Sequence, residues 1–89
     1  MEVHMAVYVD PCFRARWLHG LACHMAADSL PELLEFAARI GVKASWIQPA
    51  TARRREHFDL TPRLKRLALE AGAVELARRA FAAKMRRER

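Results

Sequence analysis

Ala71-Gly72-Ala73-Val74-Glu75-Leu76-Ala77 decides the fold. Gly72 stops the helix in front of it. If Ala73–Leu76 is extended, strands and helices alternate along the chain, and the sheet holds at least one parallel pair. If residues 73–88 form one helix instead, the result is an α+β domain with a smaller sheet. That reading has support, because Ala, Glu, Leu and Arg are strong helix formers. We take the first reading: an α/β domain whose small sheet is flanked by about three helices. A last helix then runs from Ala77 to about Arg87. Leu76, Ala77, Ala80 and Phe81 face inward, and Arg78, Arg79, Arg86 and Arg89 face water or a partner.

The elements before this stretch follow from local signals. Thr61 is a good N-cap and Pro62 a good first helical residue. Leu64, Leu67, Ala68 and Ala71 then share one helical face, and Arg66 can pair with Glu70 across a turn. Ser29-Leu-Pro-Glu32 is a capping-box pattern that opens a helix to about Ile40, stopped by Gly41. Its apolar face is Leu30, Leu33, Leu34, Ala37 and Ile40. Met5-Ala-Val-Tyr-Val-Asp10 reads as a buried strand bounded by Asp-Pro. Residues 11–21 read as a loop, and Leu21–Met25 as a second short strand. Ser45–Gln48 reads as extended, and Pro49–Glu56 as a polar, arginine-rich loop.

The 89 residues make one small domain, and a core this small makes association into a homo-oligomer plausible. With 53% hydrophobic and 29% charged residues, the chain reads as a folded globule. No apolar run is long enough to span a membrane, and Asp10-Pro11 cuts off the short N-terminal apolar stretch before it could serve as a signal peptide. Cys12 and Cys23 lack metal-finger spacing. Reduced thiols in a cytoplasmic setting are the simplest expectation, with a single bridge between them left open. Cys23 beside His24 raises a thiol nucleophile, but neighbours in a strand point to opposite faces.

The net charge of +6 is unevenly spread. Residues 1–52 hold four basic and five acidic groups, whereas residues 53–89 hold twelve and five. The second half therefore carries the positive field. It suits a phosphate-bearing ligand, a nucleic acid or an acidic protein, or it is a solvated surface.

Asp10, His24, Asp28, His57 and Asp59 all fall at the expected ends of elements, where α/β sheets gather ligands. Asp10, His24, His57 and Asp59 are the candidate catalytic residues. Imidazole and carboxylate suit a divalent metal, and an open position on it would permit hydrolysis or transfer. The plainer reading is that Asp10 and Asp28 cap turns and that His24 is a hydrogen-bonded core residue. Arg14, Arg16, Arg53, Arg54, Arg55 and Arg63, with Asp28, are the candidate ligand-binding residues, since arginine forks match phosphate oxygens. Trp17, Trp46 and Phe58 could stack bases. The plainer reading is that both tryptophans belong to the core or to a dimer interface, because large aromatics mostly serve burial.

Several segments, in this order, resemble a known family. They are Met5–Asp10, Arg14-Ala-Arg16, Cys23-His24-Met25 with Ala27-Asp28, Glu32-Leu33 to Ile40-Gly41, Trp46 with Gln48, His57-Phe58-Asp59 and Ala71–Glu75. The family is domain of unknown function 4031, small bacterial and phage proteins. The resemblance covers residues 5–81 and leaves the basic stretch 82–89 outside. Met1–His4 reads as an upstream start or an addition. The resemblance links Asp10, His24, Asp28, His57 and Asp59 as one set and implies no substrate. Relatives commonly carry His-Tyr-Asp where this chain has His57-Phe58-Asp59, so a tyrosine hydroxyl would be missing here. The loop before Cys23-His24 is one residue longer than in relatives of the Arg-Ala-Arg type. Three functions follow as expectations: binding of a phosphate-bearing ligand or nucleic acid, a metal-dependent hydrolase or transferase, and a protein–protein module.

Overall fold

The computed structural model describes residues 6–15 and 20–86. Its order is β1 (Val7–Val9), β2 (Phe13–Ala15), β3 (Gly20–Ala27), α1 (Leu30–Arg39), a 3-10 turn (Ala44–Trp46), β4 (Phe58–Leu60), α2 (Pro62–Glu70), β5 (Val74–Glu75) and α3 (Arg78–Met85). The deciding stretch is a strand. β5 lies parallel to β1, with Tyr8 opposite Val74 and Val9 opposite Glu75. The fold is therefore α/β, a mixed sheet with three helices.

β3 is the central strand. It pairs antiparallel with β1 and β2, and with β4 along its other edge. The expected loop over residues 11–21 thus contains β2 and the start of β3, and the expected second strand is longer than Leu21–Met25. Strand pairing settled these elements, and pairing is not visible in local composition.

Between the pairs Val9 with Met25 and Phe13 with Ala22 lie three residues on one strand and two on the other. This is a one-residue bulge at Asp10–Cys12. Cys12 is bonded to Cys23 across it. The bridge left open by the sequence is the one the structure holds, and the expected free thiols are not.

The helices form by the signals expected. Ser29 Oγ accepts from the Glu32 N–H at 3.3 Å, and Thr61 Oγ1 accepts from the Leu64 N–H at 3.2 Å. Gly41 and Gly72 follow the first two helices at φ 85° and 114°, where a side chain would strain the backbone. α1 and α2 cover one face of the sheet. Val7, Val9, Met25, Phe58 and Leu60 meet Leu33, Phe36, Ala37 and Ala68 there. Each fully buried Phe, Leu or Met stabilises by about 1.5–3 kcal/mol. A surface pair such as Lys65 with Glu75 adds about 0–1 kcal/mol. α3 covers the opposite face, where Phe81 and Met85 pack on Ala26, Tyr8 and Leu76.

Some expected inward positions are exposed: Leu30, Leu67, Ala71, Ala77 and Ala80. Residues 45–48 are not a strand, since Ala44–Trp46 is a 3-10 turn, though Gln48 bridges to His57. No described helix is long and apolar enough to cross a membrane.

Candidate metal centre and arginine cavity

The bulge builds the first part of the site. In a regular antiparallel pair, Asp10 and His24 would exchange two backbone hydrogen bonds. Only one is made, from the Asp10 N–H to the His24 carbonyl at 3.3 Å. The His24 N–H donates instead to Asp10 Oδ1 at 2.7 Å. The second carboxylate oxygen, Oδ2, lies 2.7 Å from His24 Nδ1. Both oxygens of this buried carboxylate therefore hold one residue. A carboxylate accepts, so Nδ1 carries the proton and Nε2 is turned the other way. The ring is packed between Phe13 and Phe81, with centroids 4.6 and 5.9 Å away.

β4 builds the second part. Successive residues in a strand face opposite sides of the sheet. Phe58 and Leu60 are fully buried on the α1/α2 side. His57 and Asp59 consequently turn to the α3 side, and Asp59 sits directly opposite His24. The backbone of His57 is pinned by reciprocal bonds with Gln48, at 2.7 and 3.2 Å. Its Nδ1 lies 3.2 Å from the Arg55 carbonyl, which can only accept, so this proton too is on Nδ1. Burial pushes the His57 imidazole below its ordinary value of 6.5. The Arg55 carbonyl and Asp59 act against that shift, and Arg54 and His24 act with it.

The two Nε2 atoms converge on one oxygen. Asp59 Oδ1 is 3.8 Å from His24 Nε2 and 3.7 Å from His57 Nε2. Both distances exceed hydrogen-bonding range. Asp59 Oδ1 is buried and, among the described residues, has no hydrogen-bond partner. All three atoms lie within 4.8 Å of one another, as ligands of a single ion would. Two imidazoles and a carboxylate, each ring fixed through its far nitrogen, match a metal-ligand set with its outer support.

Two open cavities meet here and share Phe13, His24 and Arg54. One, of about 570 Å³, adds Gln48, Pro49, Thr51, His57 and Asp59. The other, of about 580 Å³, reaches under α3 to Arg53, Arg78, Phe81, Met85 and Arg86.

Asp10, His24, His57 and Asp59, the four expected catalytic residues, are thus together. Arg53 and Arg54 stand at the cavity. Arg55 is turned away and donates to the Asp28 carbonyl at 3.0 Å. Asp28 lies apart from the cluster: its carboxylate accepts from the Tyr8 hydroxyl at 3.2 Å and faces Lys84 at 3.6 Å. Arg14 and Arg63 are exposed and line neither cavity. Arg16 and Trp17 lie outside the described residues. Phe58 is core, so it offers no face to a base, while Trp46 is exposed beside Lys43.

Phe13, Arg78 and Met85 were not anticipated in the site, and Phe81 was expected only as core. A signal for the helix was present: Arg78, Phe81, Ala82 and Met85 fall at i, i+3, i+4 and i+7, one face of α3. No such signal marks Phe13.

No curated protein and no solved structure matches the chain. A family model does match, over residues 7–88, and so runs through the basic stretch beyond Phe81. With nearly its whole length covered, the chain belongs to the family described as protein of unknown function DUF4031.

Proposed function

We propose that the protein holds one divalent transition-metal ion on His24 Nε2, His57 Nε2 and Asp59 Oδ1, and uses it to hydrolyse or transfer a phosphate-bearing group. The observation that carries this reading is Asp59 Oδ1, a buried acceptor that faces two imidazole nitrogens and has no hydrogen-bond partner among the described residues. An unsatisfied buried acceptor costs about 1–3 kcal/mol. An ion between the three atoms removes that cost and uses the Nε2 lone pairs.

Nitrogen-rich ligands favour zinc, copper, iron or nickel over magnesium, calcium and manganese, which suit oxygen shells. Three protein ligands leave positions for water and substrate. Held by His24, His57 and Asp59, such an ion would supply Lewis-acid activation of water for cleavage of a phosphate ester. Asp10 serves as a positioning residue, because its grip on Nδ1 fixes the tautomer that points Nε2 at the ion.

Calorimetric titration of EDTA-stripped protein with Zn²⁺ and Ni²⁺ tests this. One ion per chain is expected. Asp10→Asn should weaken binding roughly 10–100-fold, the cost of losing an outer partner. Asp59→Asn and His57→Ala should cost more, with circular dichroism showing that the fold is retained. Metal-dependent release of phosphate from p-nitrophenyl phosphate reads the activity. Absence of stoichiometric binding, or binding indifferent to Asp59→Asn, sinks the reading.

A further inference from the structure

The cavity under α3 has two chemically different parts. One wall is apolar, formed by Pro11, Phe13, Phe81, Ala82 and Met85. Four arginines, Arg53, Arg54, Arg78 and Arg86, also line the cavity, against one acidic residue, Asp10. That carboxylate is already occupied by His24. Among the described residues, none of the four arginines makes an ion pair, although Lys65 and Lys84 both do. Four arginines around one concavity, without an ion pair among the described residues, favour an anion there.

The arginines are also held in place from behind. Thr51 Oγ1 accepts from the N–H groups of Arg53 and Arg54 at 3.3 and 3.1 Å. The Arg55 N–H donates to the Met85 carbonyl at 2.9 Å, and Arg54 bridges to Arg86. The loop is thus fastened to the end of α3, which lowers the cost of ordering it around a ligand.

We infer that this cavity seats a small phosphate monoester carrying a flat, largely apolar ring, as an aryl or nucleoside monophosphate does. The ring lies against the apolar wall at Pro11, Phe13 and Ala82, and the phosphate sits at Arg54. Arg54 lines both cavities, so a phosphate there stands beside His24 and His57. A volume of about 580 Å³ falls within the span of small-ligand pockets, roughly 300–1,000 Å³. A nucleic-acid strand would need a basic track with stacking faces along it. The charge here is gathered at one hollow instead, and Phe58, one of the expected stacking rings, is in the core. The chemistry performed on the ester rests on the metal reading; its binding does not.

Binding is therefore measured on EDTA-stripped protein, with phenyl phosphate, AMP, inorganic phosphate and a single-stranded oligonucleotide as probes. Phenyl phosphate or AMP should bind at least about tenfold more tightly than inorganic phosphate, and the arm that binds tighter identifies the ring. Arg54→Ala and Arg78→Ala should each weaken binding about tenfold or more, while Arg63→Ala should not. These variants are at exposed positions, so a folding defect is not expected, and circular dichroism checks it. Equal affinity for inorganic phosphate and both ring-bearing esters overturns the inference, as does indifference to Arg54→Ala and Arg78→Ala. An oligonucleotide that binds far more tightly than AMP also overturns it, in favour of a polymer. Ester binding by a protein that takes up no metal would leave this inference standing and remove the hydrolytic one.

Discussion

His57 shows how one residue is tuned by its surroundings. Burial holds its imidazole below the ordinary 6.5, so the neutral ring is favoured in the folded state. In the unfolded chain the ring titrates at its ordinary value. Between the two, the unfolded state binds more protons, so stability falls as pH falls. The contribution is complete above 6.5 and shrinks below it, by at most about 1.4 kcal/mol per pH unit. Urea unfolding of metal-free protein should show a midpoint that drops from about pH 7.5 to about 5.5. His57→Gln should flatten that drop, and a midpoint that holds steady or rises on acidification would contradict a buried neutral ring. Asp59 lies opposite in character: its buried Oδ1 has no hydrogen-bond partner among the described residues.

Among the elements, the helices were legible and the strands less so. Capping residues act locally, and Ser29, Thr61, Gly41 and Gly72 all sit where spacing put them. Thr61→Ala should cost about 1 kcal/mol by loss of the bond from the Leu64 N–H, read as a lower urea midpoint at constant slope. A change below a few tenths would mean that Pro62 alone starts α2. β4 was not legible as a strand, because three residues carry too little pattern for their period to be read. Its polar pair was visible, but the alternation that turns His57 and Asp59 to one side appears only once β3 lies alongside. The gathering of Asp10, His24, His57 and Asp59 was expected from their position at element ends. In fact His24 is in mid-strand, and the bulge and the β3–β4 register bring the group together. Asp28 was grouped with them by its place before α1 and by the family resemblance, yet it is engaged with Tyr8 and Lys84.

At the scale of the molecule, three layers divide the work. The core proper lies between the sheet and α1/α2, and the opposite face, under α3, is left for the site and a smaller apolar cluster. A chain of 89 residues buries a modest core, so a covalent cross-link weighs heavily in its stability. Cys12 and Cys23 are 11 residues apart, and a bond closing a loop of that size contributes about 3 kcal/mol on chain-entropy grounds. Cys12→Ser with Cys23→Ser should therefore lower the melting temperature by well over about 5 °C, measured by calorimetry with matched metal content. An unchanged melting temperature would mean that the bond adds nothing beyond the sheet.

The bulge at Asp10–Cys12 carries a trade-off between order and use. A chain one residue shorter between Val9 and Phe13 would set Asp10 squarely opposite His24. The Asp10 carbonyl would then take the His24 N–H that its carboxylate now accepts. The ladder would gain its regular bond, and the carboxylate would lose one of its two anchors on the imidazole. Length in this segment is thus under opposing demands: the version that makes the better sheet makes the looser histidine.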